Sequence, residues 1–375
     1  MSSTLDRTAR RRRVKPADVP VRVAVVGLGY WGPNLVRNLH EVDGAAPVAV
    51  CDARGPAVDA LRRRYPALRG ATRFDEILAD PEIDAVAIAT PVSTHFELAK
   101  AALETGKHVF VEKPLAASTK EAEKLVRIAS RLGLVLMPGH TFLYSPPVVA
   151  IERMIRSGVL GDIYFVSTSR VNLGLHQADV SVVWDLGPHD FSILHHWLGE
   201  TPVAVSAMSR ACVMPGTPDV AFVNLEYRSG AVAHVELSWL APSKLRRTTI
   251  VGSEKMVVYD DTSNEPVRVF DSGVVLPEPE SFGEYRLTYR TGDIVSPNIA
   301  AAEPLGLEMQ DFCAAIQGGE PPRSNATLGL EVVRVIEAVD RSLELDGAKV
   351  RVGERAERHD ELHDSRARRR SVRLA

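Results

Sequence analysis

The sequence predicts two fold classes in succession: an α/β domain with a doubly wound parallel sheet, then an α+β domain with a large, mainly antiparallel open sheet. Short apolar runs alternate with helix-forming segments over about the first 142 residues, which is typical of βαβ units. Beyond that point long strand-like runs dominate, and helices return only near the end. A chain of 375 residues is long enough for about two such domains.

The predicted strands and helices of the first half alternate regularly. Apolar runs bounded by glycine or charged residues indicate buried parallel strands. These runs are 22–26, 47–52, 84–89, 108–111 and 134–137. Helices are expected over 33–40, 56–64, 74–79, 94–105 and 119–132, and Gly106 and Gly133 are placed to end the last two.

The second half is predicted to be an antiparallel sheet with a few helices. Strands are expected over 163–171, 202–209, 220–228, 231–240, 247–252 and 255–260. Helices are expected over 146–157, 305–317 and 326–345. Gly230 can supply the positive φ of a hairpin turn between two of these strands.

The composition is that of an ordinary globular protein. Hydrophobic residues make up 45% and charged residues 25%, which excludes a mostly disordered chain, a fibre or a multi-span membrane protein. The 45 basic and 48 acidic residues balance too evenly for a surface devoted to nucleic acid. Cys51, Cys212 and Cys313 are too widely spaced for a disulfide framework or a CxxC zinc motif. We therefore expect a cytoplasmic protein.

Two arginine-rich ends depart from this balance. Residues 7–15 and 366–373 are strongly basic, and neither lies beside a hydrophobic segment. We expect no secretory signal or membrane anchor in them. The prediction is a pair of disordered, solvated tails over 1–20 and 353–375, with contact to nucleic acid or another polyanion as the alternative.

A glycine motif joins the first predicted strand to the first helix, Gly27-Leu28-Gly29-Tyr30-Trp31-Gly32. In this context it is the dinucleotide fingerprint of a Rossmann domain. Gly27 permits the tight turn, Gly29 lets the backbone approach a pyrophosphate, and Gly32 lets helix and strand pack closely. Asp52 ends the second strand and can accept hydrogen bonds from both ribose hydroxyls. NAD is therefore favoured over NADP, although Arg54 weakens that preference.

Two further clusters carry groups suited to proton transfer. Lys113 follows a strand at the edge of the sheet where ligands of this architecture bind. Asp185 and His189 lie one helical turn apart if Pro188 occupies the first turn of a helix. The pKa of histidine suits proton transfer near neutral pH. The alternatives are a surface lysine, a helix-entry acid and a structural histidine. No metal site is expected, because His195 and His196 add no recognised ligand spacing.

Together these clusters resemble the glucose–fructose oxidoreductase / inositol dehydrogenase / rhizopine catabolism (Gfo/Idh/MocA) family. The resemblance covers about residues 20–352 and lies in four segments: Gly29-Tyr30-Trp31-Gly32-Pro33-Asn34, Ala89-Thr90-Pro91-Val92-Ser93-Thr94-His95, Glu112-Lys113-Pro114 and Trp184-Asp185-Leu186-Gly187-Pro188-His189-Asp190. The first and last segments are most similar to the branch that contains nucleotide-sugar and uronate 3-dehydrogenases.

The resemblance implies an NAD(P)-dependent sugar or cyclitol dehydrogenase. Lys113 would hydrogen-bond the reacting hydroxyl and the nicotinamide ribose, His189 would take the hydroxyl proton, and Asp185 would orient the substrate or support His189. The implied cofactor contacts are Gly27, Gly29, Tyr30, Trp31, Gly32, Asp52, Ala53, Thr90, Pro91, His95, Glu112, Lys113 and Pro114. The implied substrate contacts are His140, Tyr144, Arg170, Asn172, Trp184 and His189. An ordinary ion pair is the alternative for Arg170, and a core position is the alternative for Trp184.

The resemblance also implies a domain division and an assembly. An NAD-binding Rossmann domain would span 21–142, and an α+β domain for substrate binding and oligomerisation would span 143–352. A homodimer or homotetramer is expected through an exposed apolar face of the second sheet, with burial under the late helices as the alternative. That face is assigned to Val223, Leu225, Val235 and Leu237. Two other function classes stay open: an NAD-dependent glycosidase of the same fold, and a non-catalytic NAD-binding regulator.

Overall fold

The computed structural model describes residues 16, 18–174, 180–275 and 288–353. The two arginine-rich ends fall almost wholly outside the described residues, so the prediction of basic tails over 1–20 and 353–375 stays a prediction. Within the described part, no helix has both the length and the apolar character needed to cross a membrane.

Six parallel strands form the first sheet, in the order β3-β2-β1-β4-β5-β6. The strands are β1 Val21–Val26, β2 Ala45–Cys51, β3 Arg69–Ala71, β4 Ala85–Ile88, β5 His108–Glu112 and β6 Leu136–Gly139. The connecting helices are α1 Gly32–Glu41, α2 Gly55–Arg64, α3 Phe74–Ala79, α4 Val92–Glu104 and α5 Thr119–Leu132. Strand order reverses between β1 and β4, and sheets of this type bind ligands at the carboxyl ends of the strands beside such a reversal. The predicted doubly wound sheet is confirmed.

The second half contains a nine-stranded mixed sheet with helices on one side. Its elements are α6 Pro146–Arg156, β7 Ile163–Leu173, α7 Val182–Leu198, β8 Ala204–Arg210, β9 Val220–Glu226, β10 Val232–Ser238, β11 Leu240–Gly252, β12 Met256–Asp260, β13 Val267–Val275, β14 Thr288–Val295, α8 Pro304–Ile316, α9 Ala326–Glu344 and β15 Val350–Arg351. The strand order is β14-β13-β12-β11-β7-β10-β9-β8-β15. Only the β7–β10 pair is parallel among these described strands, which confirms a mainly antiparallel sheet.

Two sequence interpretations of the second half need correction. The prediction omitted β13 and β14, because an Asp-Ser-Gly segment interrupts the apolar pattern of β13 and β14 is largely exposed. The placement of Pro188 in a first turn was also wrong. Helix α7 begins at Val182 and is capped by Ser181, so Pro188 lies inside the helix. Asp185 is nevertheless in the first turn, one turn before His189.

The interpretation of Val223, Leu225, Val235 and Leu237 as an exposed face was wrong, because all four are at most 1% exposed. They point to the covered side of the sheet, where α7 and α9 pack. The open face carries the residues that alternate with these along each strand. One apolar row crosses it from strand to strand, residue opposite residue: Val232, Phe165, Val251, Met256, Phe270 and Ile294.

The two halves share one hydrophobic core. A single cluster of buried residues extends from Val21 in β1 to Val339 in α9. Helix α9 crosses back onto the first domain and packs against α5 and β6. At Gly329 a Cβ atom would lie 2.7 Å from the Pro138 side chain, so the helix approaches β6 closely. The carboxyl edge of the first sheet is therefore held against the second domain.

Candidate active site

The glycine motif forms a tight turn between β1 and α1. Gly27 has φ +88°, and a Cβ there would lie 2.6 Å from the carbonyl oxygen of Ala89. A Cβ at Gly32 would lie 2.1 Å from the carbonyl oxygen of Gly27. At Gly29, by contrast, a Cβ would meet no described atom within 4 Å. Gly27 and Gly32 are thus required by the fold, whereas the open space at Gly29, beside the N-terminus of α1, fits a bound pyrophosphate.

This contrast gives a paired prediction for two glycine variants. Gly29→Ala is expected to keep the wild-type melting temperature and to weaken NAD binding about tenfold or more, because its methyl group enters ligand space. Gly32→Ala, the matched control, is expected to lower the melting temperature, because its methyl group collides with backbone. Thermal unfolding and calorimetric titration with NAD would measure both. Unchanged NAD affinity in Gly29→Ala would contradict the assignment.

The Asp52 carboxylate follows β2 and receives four hydrogen bonds. Leu28 N donates to Oδ2 over 2.7 Å, and Arg54 donates through its backbone N, Nε and Nη2 over 2.9–3.0 Å. The Arg54 guanidinium, together with the backbone donors, lowers the pKa of Asp52 to about 2. The carboxylate therefore stays charged, and the Arg54 side chain that pairs with it is 65% exposed. A ribose contact of Asp52 stays a prediction. Ala53, between them, is exposed.

His95 connects two turns at the carboxyl edge of the sheet. Its Nδ1 lies 2.9 Å from the carbonyl oxygen of Pro114, and its Nε2 lies 2.8 Å from that of Thr90. The ring is buried, and burial lowers its pKa. It thus links the Thr90-Pro91 turn to the turn that carries Lys113. Both ring nitrogens face backbone carbonyl oxygens, and a direct cofactor contact of His95 stays a prediction.

Lys113 lies immediately after β5 and reaches across to α7. Its Nζ donates to Oδ1 of Asp185 over 3.0 Å and to the Asp185 carbonyl oxygen over 2.6 Å. Oδ2 of Asp185 accepts a hydrogen bond from Nε1 of Trp239 over 3.2 Å. The structure therefore brings together the predicted lysine and aspartate, and it joins them to a tryptophan that the sequence analysis missed.

His189 lies one turn along α7 from Asp185 and is half-buried. Its ring meets the edge of Phe142 at 4.9 Å between centroids. Among the described residues, its Nδ1 has no hydrogen-bond partner. Burial, reinforced by the charges of Lys113, Arg170 and Arg246, lowers the pKa of His189 well below its usual value. The imidazole is therefore neutral near pH 7.

Two predicted substrate contacts lie near His189 with unused polar atoms. His140 is 1% exposed, and neither of its ring nitrogens has a partner among the described residues. Burial lowers its pKa to about 3. Arg170 forms a buried ion pair with Asp190 at 2.5 Å, yet its Nη1 has no partner in the described part of the chain. Buried polar atoms without partners are rare, and substrate contacts of His140 and Arg170 stay a prediction.

Three other predicted contacts are engaged elsewhere or stay untested. The Tyr144 hydroxyl donates to Asp311 over 2.7 Å, at α8. Nε1 of Trp184 donates to Asp340 over 2.7 Å, at α9, and the Trp184 side chain is half-buried. Asn172 lies on β7 and is half-buried. Substrate binding by these three residues stays a prediction.

Glu112 precedes Lys113 but points into the protein. Burial raises its pKa to about 7, and its Oε1 has no partner among the described residues. Glu308, on α8, is likewise fully buried, and burial raises its pKa as well. Within the described ranges, no group of three or more His, Cys, Asp or Glu side chains could hold a metal ion.

Comparisons with known proteins bear on both halves of the chain. A family model described as "Oxidoreductase family, NAD-binding Rossmann fold" matches residues 21–140, and one described as "GFO/IDH/MocA C-terminal domain" matches 148–258. The scyllo-inositol 2-dehydrogenase (NAD(+)) of Bacillus subtilis is 29% identical over 83% of this chain and 92% of its own length.

Two solved structures extend these matches to the fold. A structure from Magnetospirillum magnetotacticum MS-1 is 30% identical, with a TM-score of 0.74 over 85% of this chain and 99% of that chain. GenD2 from gentamicin A biosynthesis, solved in complex with NAD, is 26% identical, with a TM-score of 0.76 over 91% of this chain and 99% of that chain.

Proposed function

We propose that this chain, which belongs to the Gfo/Idh/MocA oxidoreductase family, is an NAD-dependent dehydrogenase that oxidises a secondary hydroxyl of a sugar, sugar nucleotide or cyclitol. One observation carries the proposal. The Lys113–Asp185 ion pair lies near a neutral His189 whose Nδ1 is buried without a partner among the described residues, at the carboxyl edge of a sheet whose first turn is a dinucleotide fingerprint.

Each of these residues has a definite task in the proposed reaction. Lys113 donates a hydrogen bond to the reacting hydroxyl oxygen and stabilises the negative charge that develops there. The His189 imidazole accepts the hydroxyl proton. Asp185 holds the lysine ammonium in place through two of its own oxygens. Bound NAD supplies the hydride acceptor. The carbon loses a hydride and the oxygen loses a proton, which leaves a ketone.

The substrate class is proposed from the relatives and from the polar atoms of the site. The Bacillus relative acts on scyllo-inositol, and GenD2 belongs to gentamicin A biosynthesis. His140, Arg170 and His189 offer unpaired nitrogens that suit a ligand with several hydroxyl groups. A cyclitol or an aminocyclitol pseudosugar is therefore tested first, and sugar nucleotides second.

NAD is the proposed cofactor, with NADP as a weaker substitute. A charged Asp52 favours two ribose hydroxyls and repels a 2′-phosphate. Arg54 acts in the opposite sense, because once it swings off Asp52 its guanidinium can pair with that phosphate. We expect a preference for NAD that Arg54→Ala increases.

The test is a substrate panel with the full chain. The purified protein is incubated with NAD⁺ or NADP⁺ and with inositols, aminocyclitols, aminoglycosides, uronates and UDP-sugars, and reduced nicotinamide is followed by absorbance. We expect stoichiometric NADH and a ketone product from at least one polyol. Glycoside cleavage without net NADH would instead favour the glycosidase, and NAD binding with no reaction across the panel would favour the regulator.

We also propose a homodimer or homotetramer assembled through the open face of the second sheet. The apolar row across that face is its support, since Phe165, Val232 and Ile294 are 40–61% exposed and patches of this kind mark interfaces. Sedimentation at micromolar concentration is expected to show a dimer or a larger species. The Phe165→Lys variant is expected to sediment with a larger monomer fraction. A wild-type monomer would refute the assembly.

A cytoplasmic location is proposed as well. Its support is the cysteine usage: the chain has only 3 cysteines, Cys51, Cys212 and Cys313, and they are too widely spaced for a disulfide framework. Such sparse cysteine usage is typical of reducing compartments. Fractionation of cells that express the full chain would test it.

A further inference from the structure

The Asp185 carboxylate is held from two sides. Oδ1 accepts from the Lys113 ammonium over 3.0 Å, and Oδ2 accepts from the Trp239 indole over 3.2 Å. Lys113 comes from the end of β5, Asp185 from the first turn of α7, and Trp239 from the junction between β10 and β11. Three separate parts of the fold therefore meet at one carboxylate.

Burial, backbone hydrogen bonds and close packing hold Trp239 in one position at this junction. It is 1% exposed and is the largest of the fully buried side chains. Its backbone N donates to the carbonyl oxygen of Asp219 over 2.9 Å, and its carbonyl oxygen accepts from Gly174 N over 2.9 Å. A Cβ at Gly174 would lie 2.5 Å from Cδ1 of the indole, so the ring is packed directly against that glycine. The indole N–H is thus fixed in space.

We propose that Trp239 is a positioning residue for the reaction: its indole N–H orients the Asp185 carboxylate, which in turn places the Lys113 ammonium. The inference rests on the proposed function. A carboxylate that rotates about its side-chain torsions can bind an ammonium in several arrangements. A fixed donor on the second oxygen leaves the first oxygen facing Lys113. Catalysis is sensitive to such placement, because the lysine must meet the reacting oxygen at hydrogen-bond distance.

The competing explanation is that Trp239 only fills space in the core. The Trp239→Phe substitution distinguishes the two explanations, because it keeps an aromatic ring and removes the indole N–H. Trp197 supplies the matched control: it is 3% exposed, and its Nε1 donates over 3.0 Å to a backbone carbonyl oxygen, that of Val148. Both Trp→Phe variants lose a buried indole hydrogen bond, but only one of these bonds reaches Asp185.

The kinetic test compares Trp239→Phe with Trp197→Phe. For Trp239→Phe we expect kcat to fall about 10- to 100-fold, the scale of one hydrogen bond to a charged group, with little change in KM for NAD. For Trp197→Phe we expect stability to fall and kcat to stay within about twofold of wild type. Equal kcat values in the two variants would overturn the inference. Gly174→Ala, which displaces the indole without removing it, is expected to lower kcat in the same direction.

A spectroscopic test needs no substrate. The chain has 4 tryptophans, so each indole N–H signal in a ¹H–¹⁵N spectrum can be assigned by single substitution. Asp185→Asn is expected to move the Trp239 signal and to leave the Trp197 signal in place. An unmoved Trp239 signal overturns the inference, even if Trp239→Phe is slow. If the wild type oxidises no member of the panel, the proposed function fails, and the indole signal alone then decides whether Trp239 holds Asp185.

Discussion

His189→Ala is expected to lower kcat by about 10²- to 10⁴-fold while NAD still binds with wild-type affinity. The imidazole packs against Phe142, its Nδ1 is buried without a partner among the described residues, and it is the base that we propose for the reacting hydroxyl. A placed base contributes about this factor to proton transfer. The cofactor contacts proposed here lie on the glycine turn and on Asp52, which the substitution leaves in place. Steady-state kinetics with the identified polyol and titration with NAD measure the two quantities.

A second histidine on α7 controls for the loss of a buried ring. His196 contacts Glu152 at 3.4 Å, and only 9% of its side chain is exposed. His196→Ala is expected to reduce stability, with kcat close to wild type. Normal turnover in His189→Ala, or an equal loss in His196→Ala, would remove His189 from the mechanism.

Lys113→Met is expected to lower kcat by about 10²- to 10³-fold, the usual effect of removing one donor that stabilises developing negative charge. Methionine keeps most of the side-chain volume, so packing changes little. The substitution also leaves the Asp185 carboxylate without its cation, which should destabilise the fold. The double variant Lys113→Met/Asp185→Asn is expected to regain stability. Its turnover is expected to stay low, because the donor to the reacting hydroxyl is still missing. Kinetics and thermal unfolding of both variants separate these effects.

Lys107 provides the matched lysine control. It is 4% exposed, and its Nζ donates to the carbonyl oxygens of Asp80 and Ile83 over 2.7 and 3.0 Å. Lys107→Met therefore removes a buried ammonium with two acceptors, as Lys113→Met does, but away from Asp185. We expect it to lose stability and to retain turnover. Comparable kcat in the two variants would argue against a catalytic role for Lys113.

Local sequence signals predicted five of the six strands of the first sheet and missed only the short, largely exposed β3. The helix predicted over 119–132 has those bounds, because the Ser118 cap and the left-handed Gly133 are encoded within a few residues. The positive φ of Gly27 and Gly230 follows from the same kind of signal. Strand ends and helical spacing also singled out Lys113, Asp185 and His189; the structure brings Lys113 and Asp185 into hydrogen-bond contact, and the catalytic roles of the three stay a prediction.

Features that depend on distant contacts were not predictable in this way. Alternation along β9 and β10 shows that Val223 and Val235 share a face, but whether helices cover that face depends on where α7 and α9 pack. Trp239 contacts a carboxylate 54 positions away in the chain, and no local pattern marks such a pair. Phe142 was missed for the same reason, because it meets His189 only through the folding of both domains.

The helix that returns to the first domain has a consequence for how the protein unfolds. Helix α9 packs on β6 and α5, and one buried cluster contains residues of both halves. The predicted boundary near residue 142 therefore separates the two sheets, but it does not separate two independently stable units. Heating is expected to melt the chain as one cooperative unit. An excised N-terminal segment would expose the surfaces that α8 and α9 now cover. Chimeras between relatives would therefore need to exchange those two helices together with the nucleotide-binding half.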